Sequence, residues 1–305
     1  MHRYLPALAA AATGIFVGST IVVTRFVIGQ TDPFSLAFLR YAIGFLCLAP
    51  SLAMTGWVRF QPRDIVPVAL LGITQFGILI ALLNFGLQTI PSALGALIFA
   101  TFPMLTMVLA ATLRYEALTL FKTFGVLLTI LGVAFAVGEK LALPGSLAGG
   151  LIGELAVFGS ALSGAVCSVL YRPYLQRYPT LQVSAFAMFA SVLFLAIPAA
   201  WEGLFDSVPD FTPGGWAAVA FIGISSGIGY YLWLWALEHT TPTRVTVFLA
   251  LSPITATALG ALWLDEAVSA LFIAGLGSVA LGLWLAHREP RPQKKSSADF
   301  ADGAD

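Results

Sequence analysis

A single arginine, Arg40, interrupts the apolar stretch PFSLAFLRYAIG. A guanidinium can bind a carboxylate through two parallel N–H groups. If the stretch is a membrane helix, Arg40 lies about two turns, or roughly 10 Å, from one end, where a charge needs a polar cavity or a partner. Two interpretations stay open: a contact for a substrate carboxylate, or an arginine that fixes helix packing by binding carbonyls or by reaching toward the surface.

Other polar and aromatic side chains interrupt apolar runs in the same way. Gln75, in GITQFGILIALLNFG, carries an amide that must be hydrogen-bonded, either in a cavity or between helices. Tyr230 and Trp233, in SSGIGYYLWLWALEH, share a helix face at i, i+3 and can stack on an apolar cargo or simply pack against other helices or lipid. These three residues and Arg40 are the candidate substrate-binding residues.

Glu154 opens the apolar run GELAVFGSALSG. A carboxylate in the first turn of a helix is favoured by the helix dipole, which is a structural role. The alternative is proton coupling, because few acids lie near the membrane in this chain. Glu154 is therefore the candidate proton-coupling residue.

Two patterns that resemble catalytic or cofactor motifs are in the wrong context. GISSG at 223–227 satisfies GxSxG, but a nucleophile elbow needs a preceding strand and a histidine partner. GLGSVA at 275–280 resembles a dinucleotide-binding turn, but it follows no strand. The histidines His2, His239 and His287 all lie at predicted helix ends or a terminus. We predict no catalytic residue, no metal site and no cofactor.

Composition indicates which elements hold these residues. Apolar residues make up 59% of the 305-residue chain and charged residues only 10%, which is typical of a membrane protein. Fifteen basic and fifteen acidic residues argue against a nucleic-acid-binding surface. A bilayer needs about 20 apolar residues per helix, and windows of that size predict ten spans. They lie near 4–28, 34–56, 65–88, 91–113, 119–138, 152–171, 181–201, 215–238, 242–264 and 268–287.

Basic residues indicate the orientation of these spans. With the N-terminus in the cytoplasm, most Lys and Arg residues fall in the inner loops and at the inner ends. Only Arg25 and Lys140 fall on the outer side, and Arg40 lies within a span. The positive-inside rule therefore predicts that both termini are cytoplasmic.

The chain also resembles itself at a shift of 150 residues. Pro103 falls on Pro253, and Glu116 falls on Glu266. Because each unit holds five spans, an odd number, the second unit must insert upside down, as in many secondary transporters. Each proline frees a backbone carbonyl, so Pro103 and Pro253 are predicted to kink helices beside the cavity. We predict repeats at 1–138 and 151–287, an outer connecting loop at 139–150 and a disordered cytoplasmic tail at 288–305.

The ordered set of segments resembles the EamA family of the drug/metabolite transporter superfamily. The resemblance is carried by GSTIVVTRF, PFSLAFLRYAIG, GELAVFGSALSGAVCSVLYR, the glycine-spaced GVLLTILGV and GLGSVALGL, and the paired ends FPMLTMVLAATLRYE and SPITATALGALWLDE. It implies a ten-helix protein that exports small metabolites, often amino acids, across the bacterial inner membrane without an ATPase subunit.

The sequence therefore predicts an all-α integral membrane protein that moves a small molecule by alternating access between two inverted repeats. Drug or cation efflux and metabolite uptake are the alternatives within transport. An intramembrane enzyme or lipid-handling protein that uses Ser225 and Ser226 is the alternative outside it. The expected partners are a small-molecule substrate and the bilayer. The sequence does not predict the cargo, the coupling ion or the oligomeric state.

Overall fold

A computed structural model describes residues 5–55, 58–113, 119–142, 151–206, 209–239, 245 and 247–286, and these residues form helices joined by short connections, without a strand. The helices are α1 (Leu5–Val27), α2 (Pro33–Thr55), α3 (Pro62–Gly72), a π-helix (Ile73–Ile78), α4 (Leu79–Leu87), α5 (Ser92–Phe99), α6 (Phe102–Thr112), α7 (Leu120–Ala142), α8 (Ile152–Leu170), α9 (Arg172–Leu175), α10 (Thr180–Trp201), α11 (Pro213–His239), a 3-10 helix (Val247–Ala250), α12 (Leu251–Trp263) and α13 (Ala270–Ala286).

Seven helical stretches are long and apolar enough to cross a membrane, so the chain is a multi-pass membrane protein. They are Leu5–Gln30, Pro33–Thr55, Pro62–Leu87, Ser92–Thr112, Ile152–Leu170, Thr180–Trp201 and Pro213–His239. Three shorter apolar helices, Thr123–Ala136, Leu251–Trp263 and Ala270–Leu285, lie in the other predicted spans. The count of ten spans stays a prediction.

Several predicted features fall at the limits of the described chain. The tail at 288–305 and Glu116 lie outside the described residues. The connecting loop predicted at 139–150 starts too early, because α7 continues to Ala142. Glu, Lys, Leu and Ala are strong helix formers, and they extend the helix past Gly138.

The two predicted kinks are breaks between helical segments. Between α5 and α6 the chain leaves the helix at Ala100 and Thr101, and Pro103 lies in the first turn of α6. Pro253 lies in the first turn of α12, which follows the 3-10 helix. Proline is tolerated in a first turn, where its missing N–H costs no hydrogen bond. Each proline therefore lies in the first turn of a new helical segment.

Glycines let α7 and α13 pack closely. A methyl group added at Gly132 would contact the Gly275 carbonyl oxygen, and one added at Gly275 would contact the Gly132 carbonyl oxygen. A methyl group added at Gly282 would likewise contact the Gly125 carbonyl oxygen. The Ser278 hydroxyl donates to the Leu128 carbonyl at 2.8 Å. The 150-residue shift turns the Gly132–Gly275 contact into the Gly282–Gly125 contact, so the contacts of this helix pair follow a twofold pattern.

Replacing Gly275 by Ala is expected to destabilise this helix pair. The new methyl carbon would lie 2.6 Å from the Gly132 carbonyl oxygen, so the backbones must move apart, at a cost of about 1–3 kcal/mol. Gly277, on the same helix, has nothing within 4 Å of an added methyl, so Gly277→Ala is the matched control. We expect a lower unfolding temperature in detergent for Gly275→Ala alone. Equal temperatures for the two variants would contradict this packing.

Carboxylates from neighbouring helices cap helix starts at the predicted outer end. Glu202 accepts hydrogen bonds from the Ser35 backbone N–H at 2.6 Å and from the Ser35 hydroxyl at 2.8 Å, at the start of α2. Glu266 accepts from the Ser92 N–H and hydroxyl, both at 2.7 Å, and from the Ala93 N–H at 3.1 Å, at the start of α5. A negative charge at a helix N-terminus is favourable, so these contacts join the outer ends of the spans.

Polar contacts also join helix ends at the predicted inner side. The Tyr178 hydroxyl donates to Asp64 at 2.7 Å, and Arg177 lies 3.4 Å from the same carboxylate. The Thr180 hydroxyl donates to Glu238 at 2.7 Å, where α10 begins and α11 ends. Hydrogen bonds therefore join neighbouring helices at both ends of the bundle.

Candidate functional site

A cavity lies in the interior of the bundle, between α1, α2, the π-helix, α4 and α11. Its volume is about 100 Å³, whereas ligand pockets usually measure about 300–1,000 Å³. The four candidate substrate-binding residues, Arg40, Gln75, Tyr230 and Trp233, all line it. The structure therefore brings together residues from three different spans, and the helices must move apart to admit a larger cargo.

Arg40 is the charged side chain of the cavity. It is 7% exposed, and its Nε donates to the Ser226 hydroxyl at 2.6 Å. Its guanidinium carbon lies 5.6 Å from the centre of the Tyr41 ring, within range of a cation–π contact. Among the described lining residues there is no Asp or Glu. Arg40 is therefore a buried cation whose protein neighbours are neutral.

Ser226 of the GxSxG-like stretch makes two hydrogen bonds that explain it structurally. Ser226 donates to the Ile222 carbonyl at 2.6 Å and accepts from Arg40, so its hydroxyl holds the arginine in place. A guanidinium does not act as a general base, because it stays protonated in proteins. His239 stacks on Trp235, with ring centres 4.3 Å apart, and does not line the cavity.

Gln75 lies in the π-helix at Ile73–Ile78. A π-helix widens the turn and is often found at functional sites. The Gln75 side chain is half-buried, lines the cavity and makes no hydrogen bond to a described residue. Its amide can therefore donate to or accept from a molecule in the cavity.

Aromatic rings form much of the remaining wall. Tyr230 packs edge-on against Phe76 with ring centres 4.4 Å apart, and Tyr41 contacts the same ring at 4.8 Å. Trp233 packs edge-on against Phe102 at 6.2 Å. Such pairs are rigid and apolar, so they can enclose the hydrophobic part of a cargo.

The breaks in the two interrupted spans meet the same cavity. Phe99, the last residue of α5, lines it, and so does Leu249 in the 3-10 helix before α12. Pro103 and Pro253, each four residues further along, are buried beside the cavity but do not line it. At the first break the cavity is lined from both sides, by Phe99 before it and by Phe102 after it.

Glu154 lies apart from these residues. It is in the first turn of α8 and is 6% exposed, but it does not line the cavity. The structure does not bring it together with Arg40 or Gln75.

Comparison with known proteins shows the family. The profile of the EamA-like transporter family matches residues 5–138 and again residues 151–288. The chain belongs to the EamA-like transporter family. This confirms the resemblance seen in the sequence.

Relatives of this EamA-like chain are named as transporters. An uncharacterized transporter of Archaeoglobus fulgidus is 25% identical over 92% of this chain and 97% of the relative. A protein of Streptantibioticus cattleyicolor named "Probable terminal-alkyne amino-acid exporter" is 27% identical over 86% of each chain. The biotin transporter of Salmonella typhimurium is 23% identical over 96% of each chain. A crystal structure matches with a TM-score of 0.69 at 24% identity, over 91% of this chain and 95% of the other, which shows a shared fold.

Several lining residues of the EamA-like chain were not singled out from the sequence. Tyr41, Phe76 and Phe102 are aromatic residues in apolar runs, where packing is the usual role. The sequence pattern suggests Ser226 only as a nucleophile, although it binds Arg40 from 186 residues away. A signal existed only for Tyr41, which directly follows Arg40 in sequence.

Proposed function

We propose that the protein is a secondary transporter that exports small carboxylate-bearing metabolites, amino acids first among them. The observation that carries the proposal is Arg40, a cation in a cavity with no described acidic lining residue. An unpaired buried charge is costly, and a substrate carboxylate supplies the missing partner.

The geometry around Arg40 fits end-on recognition of an anion. The hydrogen bond to Ser226 uses Nε rather than the two terminal nitrogens, and the Tyr41 hydroxyl lies within hydrogen-bonding reach of the guanidinium. Those nitrogens carry paired N–H groups that match a carboxylate. Ser226 and Tyr41 both contact the guanidinium, so it needs little reordering when an anion binds.

The rest of an amino acid also finds partners in this cavity. Tyr230, Trp233 and their ring partners enclose an apolar side chain. An ammonium can be met by the Gln75 carbonyl, by ring faces or by backbone carbonyls near Phe99 and Leu249, because the ends of interrupted helices often bind cations in transporters.

The proposed mechanism is alternating access between two inverted five-helix repeats, at 1–138 and 151–287. The twofold pattern of the α7–α13 contacts and the two breaks beside the cavity support it. We further propose that both termini are cytoplasmic and that the protein resides in the inner membrane, on the distribution of basic residues.

The relatives favour the same cargo class. One is named as an amino-acid exporter and another as a biotin transporter, and both kinds of molecule carry a carboxylate. Efflux of cationic drugs is disfavoured, since Arg40 would repel them and none of the described lining residues is acidic. Uptake is the alternative direction.

The proposal is tested by efflux from preloaded proteoliposomes. Vesicles with and without the protein are loaded in parallel with labelled amino acids, other monocarboxylates, the corresponding uncharged amides, or cationic drugs. We expect protein-dependent loss of carboxylates and retention of cations. If no carboxylate leaves the vesicles, the proposal fails. If cations leave instead, drug efflux replaces it.

Glu154 is proposed as the residue that couples transport to protons. Its burial in a first turn among packed helices is what supports this role. We expect Glu154→Gln to reduce transport driven by a pH gradient to the rate seen without a gradient, because an amide cannot carry the proton. The measurement is the transport rate in proteoliposomes with and without a pH gradient, with Asp32→Asn as the control. An undiminished response to the gradient would leave Glu154 with a structural role.

A further inference from the structure

We infer that this protein exchanges carboxylate molecules across the membrane faster than it moves them in one direction. The inference rests on the proposed function of the cavity, and it adds the mode of transport. It follows from what Arg40 contacts and from how completely Arg40 is enclosed.

Arg40 has no counter-charge from the protein in the described part of the chain. Its near neighbours are the Ser226 hydroxyl at 2.6 Å and the Tyr41 ring at 5.6 Å, both neutral. The other charged residues of the membrane region, such as Glu154 and Arg25, do not line the cavity. A carboxylate that enters the cavity therefore turns an unpaired cation into an ion pair.

Alternating access requires a state that is closed at both ends. Arg40 is already only 7% exposed in this structure, so its guanidinium has lost most of its contact with bulk water. In a closed state the unpaired guanidinium is held away from bulk water, which is unfavourable. A bound carboxylate removes most of that cost, so the loaded protein closes more readily than the empty one.

Water in the cavity reduces this difference but does not abolish it. A volume of about 100 Å³ holds a few water molecules, and these hydrate the guanidinium less well than bulk solvent does. After releasing cargo, the empty protein must pass through the closed state to return, and this step limits one-way transport. When cargo is present on the far side, the protein returns with a cargo molecule bound, and the cycle exchanges one molecule for another.

The experiment compares two efflux rates in the same vesicles. Proteoliposomes hold a labelled carboxylate that the efflux panel shows to be transported, and the membrane potential is clamped at zero so that voltage does not slow a charged return step. Initial efflux is measured into buffer without cargo and into buffer with saturating unlabelled cargo. We expect the second rate to be higher by about tenfold or more.

The outcomes separate this inference from the proposed function. Efflux at equal rates under both conditions overturns the exchange inference and leaves the transport function standing. No efflux under either condition overturns both. Because these rates are measured on the natural protein, the test does not depend on any variant folding.

A variant pair then assigns the effect to Arg40. Arg40→Gln keeps a polar side chain but removes the charge, so at cargo concentrations that still give flux the two rates should converge. Arg25→Gln removes an arginine that binds the Leu87 and Gln88 carbonyls outside the cavity, and it should keep the acceleration. If Arg40→Gln retains the full acceleration, Arg40 is not its cause.

Discussion

Replacing Arg40 by Gln is expected to raise the KM for carboxylate cargo by about 30-fold or more. Removing one member of a buried charge pair costs about 2–5 kcal/mol, and most of that loss appears as weaker binding. The measurement is concentration-dependent transport of a carboxylate and of its uncharged amide. We expect the KM of the amide to change little, because it makes no ion pair.

Two further variants sharpen the Arg40 result. Arg40→Lys keeps the charge but loses the planar pair of donors and the Nε contact to Ser226. Its KM for carboxylate cargo should therefore lie between the values of the natural protein and of Arg40→Gln. Ser226→Ala keeps the charge and loses only the support, so a smaller rise in KM is expected. Normal carboxylate transport by Arg40→Gln would remove Arg40 from the binding site.

Replacing Glu266 by Ala is expected to lower the free energy of unfolding by about 2–3 kcal/mol. Glu266 accepts three hydrogen bonds at the start of α5, and Ser92, which donates two of them, is fully buried. Without the carboxylate, these donors lose their partner in a place that water reaches poorly. The unfolding midpoint in detergent should fall by about 5 °C or more.

The neighbouring Asp265 supplies the control for Glu266. It is exposed, has a positive φ of 50° and makes no hydrogen bond to a described residue through its side chain. Asn tolerates that backbone conformation, so Asp265→Asn removes a charge without removing a contact or straining the chain. If both substitutions lower the unfolding midpoint equally, stability depends on the net charge at this end of the bundle and not on the hydrogen bonds that Glu266 accepts.

The sequence was informative where a residue type conflicts with its surroundings. Arg40 and Gln75 stand out because charge and amide groups are costly in apolar helices, and both line the cavity. The prolines showed where two spans are discontinuous. They could not distinguish a kink from a break, because a missing N–H is compatible with both. The role of these residues in binding stays a prediction.

Other features depend on contacts that local sequence does not encode. The π-helix at Ile73–Ile78 has no proline, and its composition is that of an ordinary apolar helix. The partner of Glu266 is Ser92, 174 residues away, and only the packing of α5 against α12 brings them together. The same holds for Ser226, whose contact with Arg40 follows from how α2 meets α11.

The hydrogen bond from Ser278 to the Leu128 carbonyl joins two positions that the 150-residue shift equates. In a dimer of two identical five-helix chains, the same residue would have to occupy both positions, so two serines or two leucines would meet. In one continuous chain the two positions can differ. The acceptor is a backbone carbonyl, which any residue supplies, so what the continuous chain adds is the choice of different side chains: a hydroxyl donor on one helix and an apolar side chain on the other.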